Sequence, residues 1–318
     1  MERARATEAV ARAKAAAGEQ LAAAAGNREE LAALVRLCAS LTDLTSLGDG
    51  DTGAAVEALC ERALGGGSEG LGRAAAVCVH SPFVETARRT LEAGRAGRPP
   101  PLVATVVNFP DGSPDAGRAA REASEAVSRG ADEIDVVWPY RRFLEGFSEP
   151  GGAAAAAREQ CKLLVAACVE RARAAAGRKV AVKVIIESGE LRVVPGTVAD
   201  SARAAVEAGA DFVKTSTGKV PVGATLEDAY EMLTAISGTS AGFKASGGIR
   251  TAEDALAYVH LAREIMGPDF VCPEKFRFGA SAAFWDNLLK TLEGGGANAH
   301  PTAAAFAAAD TAGDRAVY

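Results

Sequence analysis

Short apolar segments alternate with alanine-rich helical stretches along this chain of 318 residues, and their spacing constrains the fold more than any other feature. Most of them begin about thirty residues apart, which is the length of one strand followed by one helix. Runs such as LVATVV and VAVKVII are almost wholly apolar rather than alternating, as expected for parallel strands covered on both sides. The predicted strands are Ala39–Asp43, Ala75–His80, Leu102–Asn108, Glu133–Trp138, Val180–Glu187, Phe212–Thr215, Gly242–Ala245 and Phe276–Gly279.

Eight such units without an interrupting linker predict an α/β fold, a (β/α)8 TIM barrel, whose usual size is about 250 residues. A doubly wound sheet is the alternative, but no glycine-rich fingerprint follows the first strand and no change of composition divides the chain. Residues 1–36, rich in Ala, Arg and Glu, predict an extra N-terminal helix. Residues 37–293 would form the barrel, and residues 294–318 a low-complexity, flexible C-terminal tail.

The composition excludes several classes of protein. A net charge of −6 speaks against binding to nucleic acid or to an anionic membrane. No apolar run approaches the roughly 20 residues of a membrane span, and the N-terminus lacks the apolar stretch of a secretory signal. Its amphipathic, Arg-rich pattern is compatible with a transit peptide, although its glutamates and the lack of serines argue against this interpretation. Six cysteines without a CxxC pair favour reduced thiols and a cytoplasmic protein, and three histidines without ligand spacing predict no metal site.

Two lysines stand at the ends of predicted strands, Lys214 in DFVKTSTGK and Lys244 in AGFKASGGIR. An ammonium group loses its hydration when it is buried, and it then tends to give up its proton. Two ammonium groups close together repel each other, which favours the neutral amine for at least one of them. Because a neutral buried amine attacks carbonyl groups, the pair predicts Schiff-base chemistry.

Further polar side chains are predicted at the carboxyl ends of the strands, where barrels of this kind place their active sites. Asp135 lies inside an otherwise apolar strand, and Lys183 lies on the next strand along the chain. Neighbouring strands are about 4.8 Å apart, so inward side chains at one level can meet. A structural ion-pair network is the alternative reading of this set. The residues predicted at these strand ends are Asp43, Asn108, Asp135, Lys183, Glu187, Lys214 and Lys244.

Two glycine-rich loops follow the seventh and eighth predicted strands, SGGIR and FGAS. Loops at this position, followed by a helix N-terminus, often bind phosphate in such barrels. Glycines let backbone N–H groups approach an anion, Ser281 adds a hydroxyl, and Arg250 or Lys219 adds charge. Either loop alone would read as an ordinary turn, but both together favour phosphate binding. The chain ends in Tyr318, which by residue pattern alone belongs to a disordered tail.

The motifs resemble those of the 2-deoxyribose-5-phosphate aldolases, from about Leu41 to Leu292 and through every predicted strand. DFVKTSTGK together with GFK-x-x-GGIR is the most specific part of the resemblance. The other matching motifs are LTDLTSL, VCVHSPF, ATVVNFP, GADEIDVV, VKVIIESGEL and FRFGAS.

The resemblance implies a class I aldolase that needs no metal and no cofactor. Such enzymes reversibly cleave 2-deoxy-D-ribose 5-phosphate to D-glyceraldehyde 3-phosphate and acetaldehyde. By residue matching, Lys214 corresponds to the Schiff-base lysine, and Lys244 to the second lysine, which lowers the pKa of the first. Asp135 corresponds to the aspartate that moves protons through an ordered water, and Lys183 to a further lysine of the network.

The resemblance also implies binding residues and partners. The substrates are a sugar phosphate and aldehydes, and a homo-oligomer is expected, with a dimer favoured. Family members often end in a tyrosine implicated in proton transfer, which makes Tyr318 a candidate. Cys78 would lie inside the barrel near the site. The substrate-binding candidates are Gly247, Gly248, Gly279, Ser281, Lys219 and Thr217 for the phosphate, and Asp43 and Thr45 at the mouth.

Several positions depart from the family pattern. GFKPAGG reads GFKASGG here, so Ser246 is gained, and Ala282 replaces a serine that could bind phosphate. His80 replaces an aromatic residue, and Gly48 follows LTSL where an asparagine is usual. These changes affect the expected substrate preference more than the reaction class. Two alternatives stay open: a Schiff-base aldolase for another sugar phosphate, and a catalytically silent barrel that binds a phosphate ligand.

Overall fold

Eight parallel strands close into a barrel in the computed structural model, which describes residues 2–65, 70–148 and 153–293. Each strand pairs with the next along the chain, and the last pairs with the first. This confirms the predicted (β/α)8 TIM barrel. The strands are β1 (Thr42–Thr45), β2 (Ala76–Val79), β3 (Leu102–Val107), β4 (Glu133–Val137), β5 (Ala181–Ile185), β6 (Phe212–Lys214), β7 (Gly242–Ser246) and β8 (Phe276–Ala280).

Helices follow every strand and cover the outside of the barrel. Two more helices precede β1 and pack on this outer layer, α1 against α11 and α2 against α12. The helices are α1 (Glu2–Ala24), α2 (Arg28–Ser40), α3 (Gly53–Ala63), α4 (Val84–Ala93), α5 (Ala116–Ser128), α6 (Tyr140–Ser148), α7 (Ala154–Ala176), α8 (Ser188–Leu191), α9 (Thr197–Glu207), α10 (Leu226–Ile236), α11 (Ala252–Met266) and α12 (Ala282–Leu292).

The N-terminal region differs from the prediction of a single helix. Asn27 interrupts it, because its side chain accepts hydrogen bonds from the backbone N–H groups of Glu29 and Glu30 and so caps a second helix, α2. The prediction that the first strand begins at Ala39 is also wrong. Ala39 is buried on the inner face of α2, and β1 begins only at Thr42. The proposed division at residues 36 and 293 stays a prediction.

Helix α1 is held to the barrel by small side chains and by two polar contacts. Ala9, Ala13 and Ala17 recur at helical spacing and are buried. Arg12 forms an ion pair with Glu264 at 2.6 Å, and Gln20 Oε1 lies 2.9 Å from His260 Nε2. In the described part of the chain, no helix has the length and apolarity needed to cross a membrane. The predicted tail, with Tyr318, lies outside the described residues.

The barrel has two apolar regions that frame the polar side chains within it. The larger fills the space between the strands and the helices. A small second cluster of Leu47, Ala76, Cys78, Ala104 and Val106 comes from β2, β3 and the segment after β1. The strand residues of this second cluster come from β2 and β3, whereas the lysines come from β5, β6 and β7 across the barrel.

Candidate active site

Asp135 is the centre of the polar interior. It lies on β4, opposite Lys183 of β5 in the strand register, while Lys214 of β6 pairs with Lys244 of β7. Its Oδ1 accepts a hydrogen bond from Lys183 Nζ at 2.9 Å, and its Oδ2 accepts from Lys214 Nζ at 2.9 Å and Lys244 Nζ at 2.8 Å. All four side chains are buried. Four predicted residues from four consecutive strands therefore meet at one carboxylate.

Three further charged side chains complete this group. Asp43 Oδ2 lies 2.5 Å from Lys244 Nζ, and its Oδ1 lies 2.5 Å from Arg277 Nη1. Glu133 accepts from Arg277 Nη2 at 3.1 Å and forms an ion pair with Lys183 at 2.6 Å. We call the seven side chains the charged cluster: Asp43, Glu133, Asp135, Lys183, Lys214, Lys244 and Arg277.

The sequence reasoning missed Glu133 and Arg277. The predicted strand-end residues include Asp43 and Asp135, but neither Glu133 nor the arginine that pairs with both Asp43 and Glu133. Strand alternation could have identified both residues, since side chains two positions apart point to the same side of a strand. Glu133 precedes Asp135 by two residues on β4, and Arg277 precedes Gly279 by two on β8.

The cluster holds most of its members in their charged forms. Burial would raise the pKa of Asp135, but Lys183, Lys214 and Lys244 outweigh it and bring the pKa well below its usual range. Burial would lower the pKa of Lys183, but Asp135, Glu133 and Asp43 outweigh it and raise the pKa above its usual value. Before a substrate binds, the Asp135 carboxyl is therefore ionised and the Lys183 amine protonated at neutral pH.

The charges of the cluster do not balance when every member is ionised. Four groups that can be positive, three lysines and Arg277, face three carboxylates. Uncompensated charge in a dry interior is costly. Releasing one lysine proton removes the imbalance, so the arrangement can hold one neutral amine beside a carboxylate, which is what nucleophilic attack on a carbonyl requires.

The loop after β6 is fixed by a buried glutamate. Glu187 accepts from the Thr217 hydroxyl at 2.6 Å and from the Thr217 N–H at 3.1 Å. Burial raises the pKa of Glu187, although the bonds from Thr217 oppose this shift. The Thr217 hydroxyl also accepts from the N–H of Lys219, whose Nζ donates to the Leu47 carbonyl at 2.7 Å. Lys219 thereby links this loop to the segment after β1.

The predicted phosphate loops stand at the same end of the barrel. Gly247 and Gly248 follow β7 with φ angles of 83° and 85°, which favour glycine. The Gly247 carbonyl accepts from Ala224 N at 3.0 Å, which joins this loop to the one after β6. Ser281 precedes α12 in extended conformation, and its hydroxyl makes no cap hydrogen bond to the helix. We call the loops after β6, β7 and β8 the barrel mouth.

The two residues predicted at the mouth beside β1 lie on the strand itself. Asp43 is part of the charged cluster, where it contacts Lys244, and the Thr45 hydroxyl donates to the Asp43 carbonyl at 2.8 Å. Gly279 also faces the interior, because a Cβ built on it would lie 3.1 Å from Lys244 Cε. Cys78 is buried near the lysines, and burial raises the pKa of its thiol. Among the described residues, no group of His, Cys, Asp or Glu side chains could hold a metal ion.

Residues 37–282 match the model of the DeoC/LacD family of aldolases. The chain belongs to this aldolase family. The match confirms the resemblance inferred from the sequence motifs, and it covers all eight strands.

Solved structures agree with this assignment. A candidate deoxyribose-phosphate aldolase from Toxoplasma gondii ME49 is 25% identical, with a TM-score of 0.70, over 85% of this chain and 96% of that one. A candidate deoxyribose-phosphate aldolase from Coccidioides immitis is 28% identical, with a TM-score of 0.62, over 81% of this chain and 86% of that one. The tetrameric deoxyribose phosphate aldolase from Aeropyrum pernix is 22% identical, with a TM-score of 0.61 over 86% and 96%, and it shares the fold.

Proposed function

We propose that this aldolase-family protein reversibly cleaves 2-deoxy-D-ribose 5-phosphate to D-glyceraldehyde 3-phosphate and acetaldehyde through a Schiff base on Lys214. One observation carries the proposal: a single buried carboxylate, Asp135, contacts the Nζ atoms of Lys183, Lys214 and Lys244 within 2.9 Å. The two oxygens of this carboxylate bring three amines together, and these can supply a nucleophile, a fixed charge and a proton relay.

Lys214 is the member of the cluster best suited to attack. In the described residues its one ion pair is with Asp135, whereas Lys244 also pairs with Asp43, and Lys183 pairs with three carboxylates. A lysine with fewer carboxylate partners loses less when it gives up its proton. We therefore assign the attack on the substrate to the Lys214 amine.

Schiff-base formation fits the charge balance of the cluster. The neutral Lys214 amine attacks C1 of the open-chain sugar phosphate, and loss of water converts the carbinolamine to an iminium ion. The iminium carries one positive charge, as the ammonium did, and it stays beside Asp135 Oδ2. Lys244 donates to the same oxygen at 2.8 Å, so Asp135 and Lys244 can relay the protons of this step.

The iminium then accepts the electrons of the breaking bond. Asp135 takes the proton of the C3 hydroxyl through a water molecule, and the carbonyl of glyceraldehyde 3-phosphate forms at C3. The C2–C3 bond breaks, its electron pair becomes the C1–C2 double bond of an enamine, and the iminium π pair moves to nitrogen. Protonation at C2 and addition of water release acetaldehyde and restore the amine.

The barrel mouth would hold the phosphate. The proposed contacts are the N–H groups of Gly247 and Gly248, the loop around Gly279, Ser281 at the start of α12, and the charge of Lys219. Thr217 supports this loop through Glu187 and Lys219. A phosphate bound there orients C1 towards Lys214, so an unphosphorylated substrate should react less well.

Trapping of the intermediate tests the proposal. Acetaldehyde with sodium borohydride should fix an ethyl group on Lys214, which mass spectrometry of the peptide would locate. The Lys214→Ala variant should lose cleavage of deoxyribose 5-phosphate in an assay containing a chelator. Lys179→Ala is the matched control, because the Lys179 side chain is 81% exposed. Cleavage that survives in Lys214→Ala would end the hypothesis, whereas activity on another sugar phosphate alone would favour a different substrate.

Three further expectations stay proposals. They are a homo-oligomer, with a dimer favoured, a cytoplasmic location, and a proton-transfer role for Tyr318. The tetramer named for the Aeropyrum pernix enzyme is a property of that protein. Size-exclusion chromatography with light scattering would give the oligomeric state, and a Tyr318→Phe variant would test the phenol.

A further inference from the structure

Ser246, the last residue of β7, has a hydroxyl without a partner. The side chain is 0% exposed, and its Oγ makes no hydrogen bond to any residue that the structure describes. Its backbone, in contrast, is fully engaged. The N–H donates to the Thr215 hydroxyl at 2.9 Å, and the carbonyl accepts from that hydroxyl at 3.1 Å and from Ala224 N at 3.0 Å. The backbone of Ser246 is thus fixed by hydrogen bonds, while its hydroxyl lacks one. Because buried hydroxyls normally have hydrogen-bond partners, this one calls for an explanation.

The Ser246 hydroxyl points into the barrel. Ser246 lies two residues after Lys244 on the same strand, and alternate residues of a strand share a face. A Cβ built on Gly279 of β8 would overlap Ser246 Oγ and would also touch Lys244 Cε. Because Gly279 has no side chain, the interior has room for the hydroxyl beside β8. The Ser246 hydroxyl can therefore occupy this place only because residue 279 is a glycine.

This position is intermediate between the two ends of the proposed substrate. Two strand residues span about 6.6 Å, so Ser246 stands roughly that far above Lys244 along the strand. Gly247 and Gly248, which we assign to the phosphate, follow it directly. A sugar phosphate with C1 on Lys214 and its phosphate at these glycines would pass its middle carbons beside the hydroxyl.

We propose that the Ser246 hydroxyl hydrogen bonds to the C4 hydroxyl of the sugar phosphate, which is the C2 hydroxyl of the acceptor aldehyde in the condensation direction. This rests on the proposed function and names the residue that selects a 2-hydroxy aldehyde. A hydroxyl both donates and accepts, so it can bind a substrate hydroxyl in either sense. In this arrangement Asp135 acts on the C3 hydroxyl, and the glycine-rich loops bind the phosphate.

The test compares two acceptors in condensation with acetaldehyde. One is D-glyceraldehyde 3-phosphate, and the other is 3-oxopropyl phosphate, which lacks only the hydroxyl. The Ser246→Ala variant should lose about tenfold in kcat/KM with glyceraldehyde 3-phosphate and should match the wild type with 3-oxopropyl phosphate. Ser201→Ala is the matched control, because Ser201 is also buried with an unpartnered hydroxyl but lies on α9 in the outer helix layer.

The possible outcomes distinguish a failure of the Ser246 assignment from a failure of the proposed function. Equal losses with both acceptors would mean a phosphate contact or a structural role and would overturn the assignment, as would no loss at all. Ser216→Ala should leave the ratio unchanged; a loss of discrimination there instead would move the role to Ser216, whose buried hydroxyl is also unpartnered. Wild-type protein that condenses neither acceptor would refute the proposed function. Calorimetric titration with 2-deoxyribitol 5-phosphate and its 4-deoxy analogue would then still decide whether Ser246 recognises the hydroxyl.

Discussion

The charged cluster and the barrel mouth differ in how their buried polar groups are paired. In the cluster every carboxylate has at least two cationic partners; Glu133, for example, contacts both Lys183 and Arg277. At the mouth and at the end of β7 below it, the buried hydroxyls of Ser216 and Ser246 have no hydrogen-bond partner among the described residues. Paired charges fix the protonation states needed for chemistry before a substrate arrives. Under the proposed function these hydroxyls and the glycine N–H groups bind the substrate, so the barrel mouth would determine which substrate is accepted.

Replacing Asp135 should have the largest effect, because it removes the centre of the cluster. Asp135→Asn keeps the shape but loses the carboxylate shared by three lysines, and an amide cannot take the C3 proton. We expect kcat/KM for cleavage to fall by about 10³-fold, as for loss of a general acid or base. A coupled assay of glyceraldehyde 3-phosphate release would measure it.

Asp286→Asn is the control for this change. Asp286 pairs with Arg62 on the outside of the barrel, and its side chain is 45% exposed. It should keep the wild-type rate. An Asp135→Asn enzyme that stays within tenfold of the wild type would show that the cluster is structural, and the contrast with the mouth would then lose its functional meaning.

Replacing Arg277 tests whether its salt bridges to Asp43 and Glu133 stabilise the fold. Arg277→Met leaves Asp43 and Glu133 with one cationic partner fewer, and breaking such a buried pair costs about 3–5 kcal/mol. Chemical denaturation at neutral pH should show this loss. Arg89→Met is the control, because Arg89 and its partner Glu57, 3.1 Å apart, are 70% and 47% exposed, and the loss of an exposed pair should cost at most about 1 kcal/mol. Equal losses in the two variants would contradict the prediction.

The same variant should change the acid dependence of stability. Burial would raise the pKa of Asp43, but Lys244 and Arg277 outweigh it and hold the pKa below its usual range. The carboxylate therefore stabilises the fold above the unfolded-state pKa of about 4, and this stabilisation is lost as the pH falls towards the lower folded-state value. Without Arg277 the folded-state pKa moves upward, so Arg277→Met should lose less stability than the wild type over this range. A slope as steep as in the wild type would contradict this.

The sequence predicts the fold and part of the site for physical reasons that differ by residue. Continuous apolar runs such as Leu102–Val107 identify parallel strands, and a lone Asp135 within such a run identifies a polar interior. Arg277 was missed because a charge in a short strand, FRFGA, reads equally well as an exposed residue. Strand alternation could have placed Arg277 on the inner side of β8, but its partner Glu133 is 144 residues away, so no local pattern shows that the two residues pair. Ala39 was misplaced for a similar reason, since tertiary packing of α2 decides its conformation.

Lys219 should give the smallest effect, because it stands in the solvent at the barrel mouth. Its side chain is exposed, and its ammonium is tied to the Leu47 carbonyl rather than to a carboxylate in the described residues. A screened surface charge contributes about 1 kcal/mol at most, so Lys219→Met should raise KM for deoxyribose 5-phosphate by about fivefold and leave kcat nearly unchanged. With unphosphorylated deoxyribose the variant should equal the wild type, and added salt should shrink the difference for the phosphorylated substrate. If kcat falls as much for both substrates, Lys219 acts on the chemistry rather than on the phosphate, and the separation between a catalytic cluster and a recognising mouth fails at this residue.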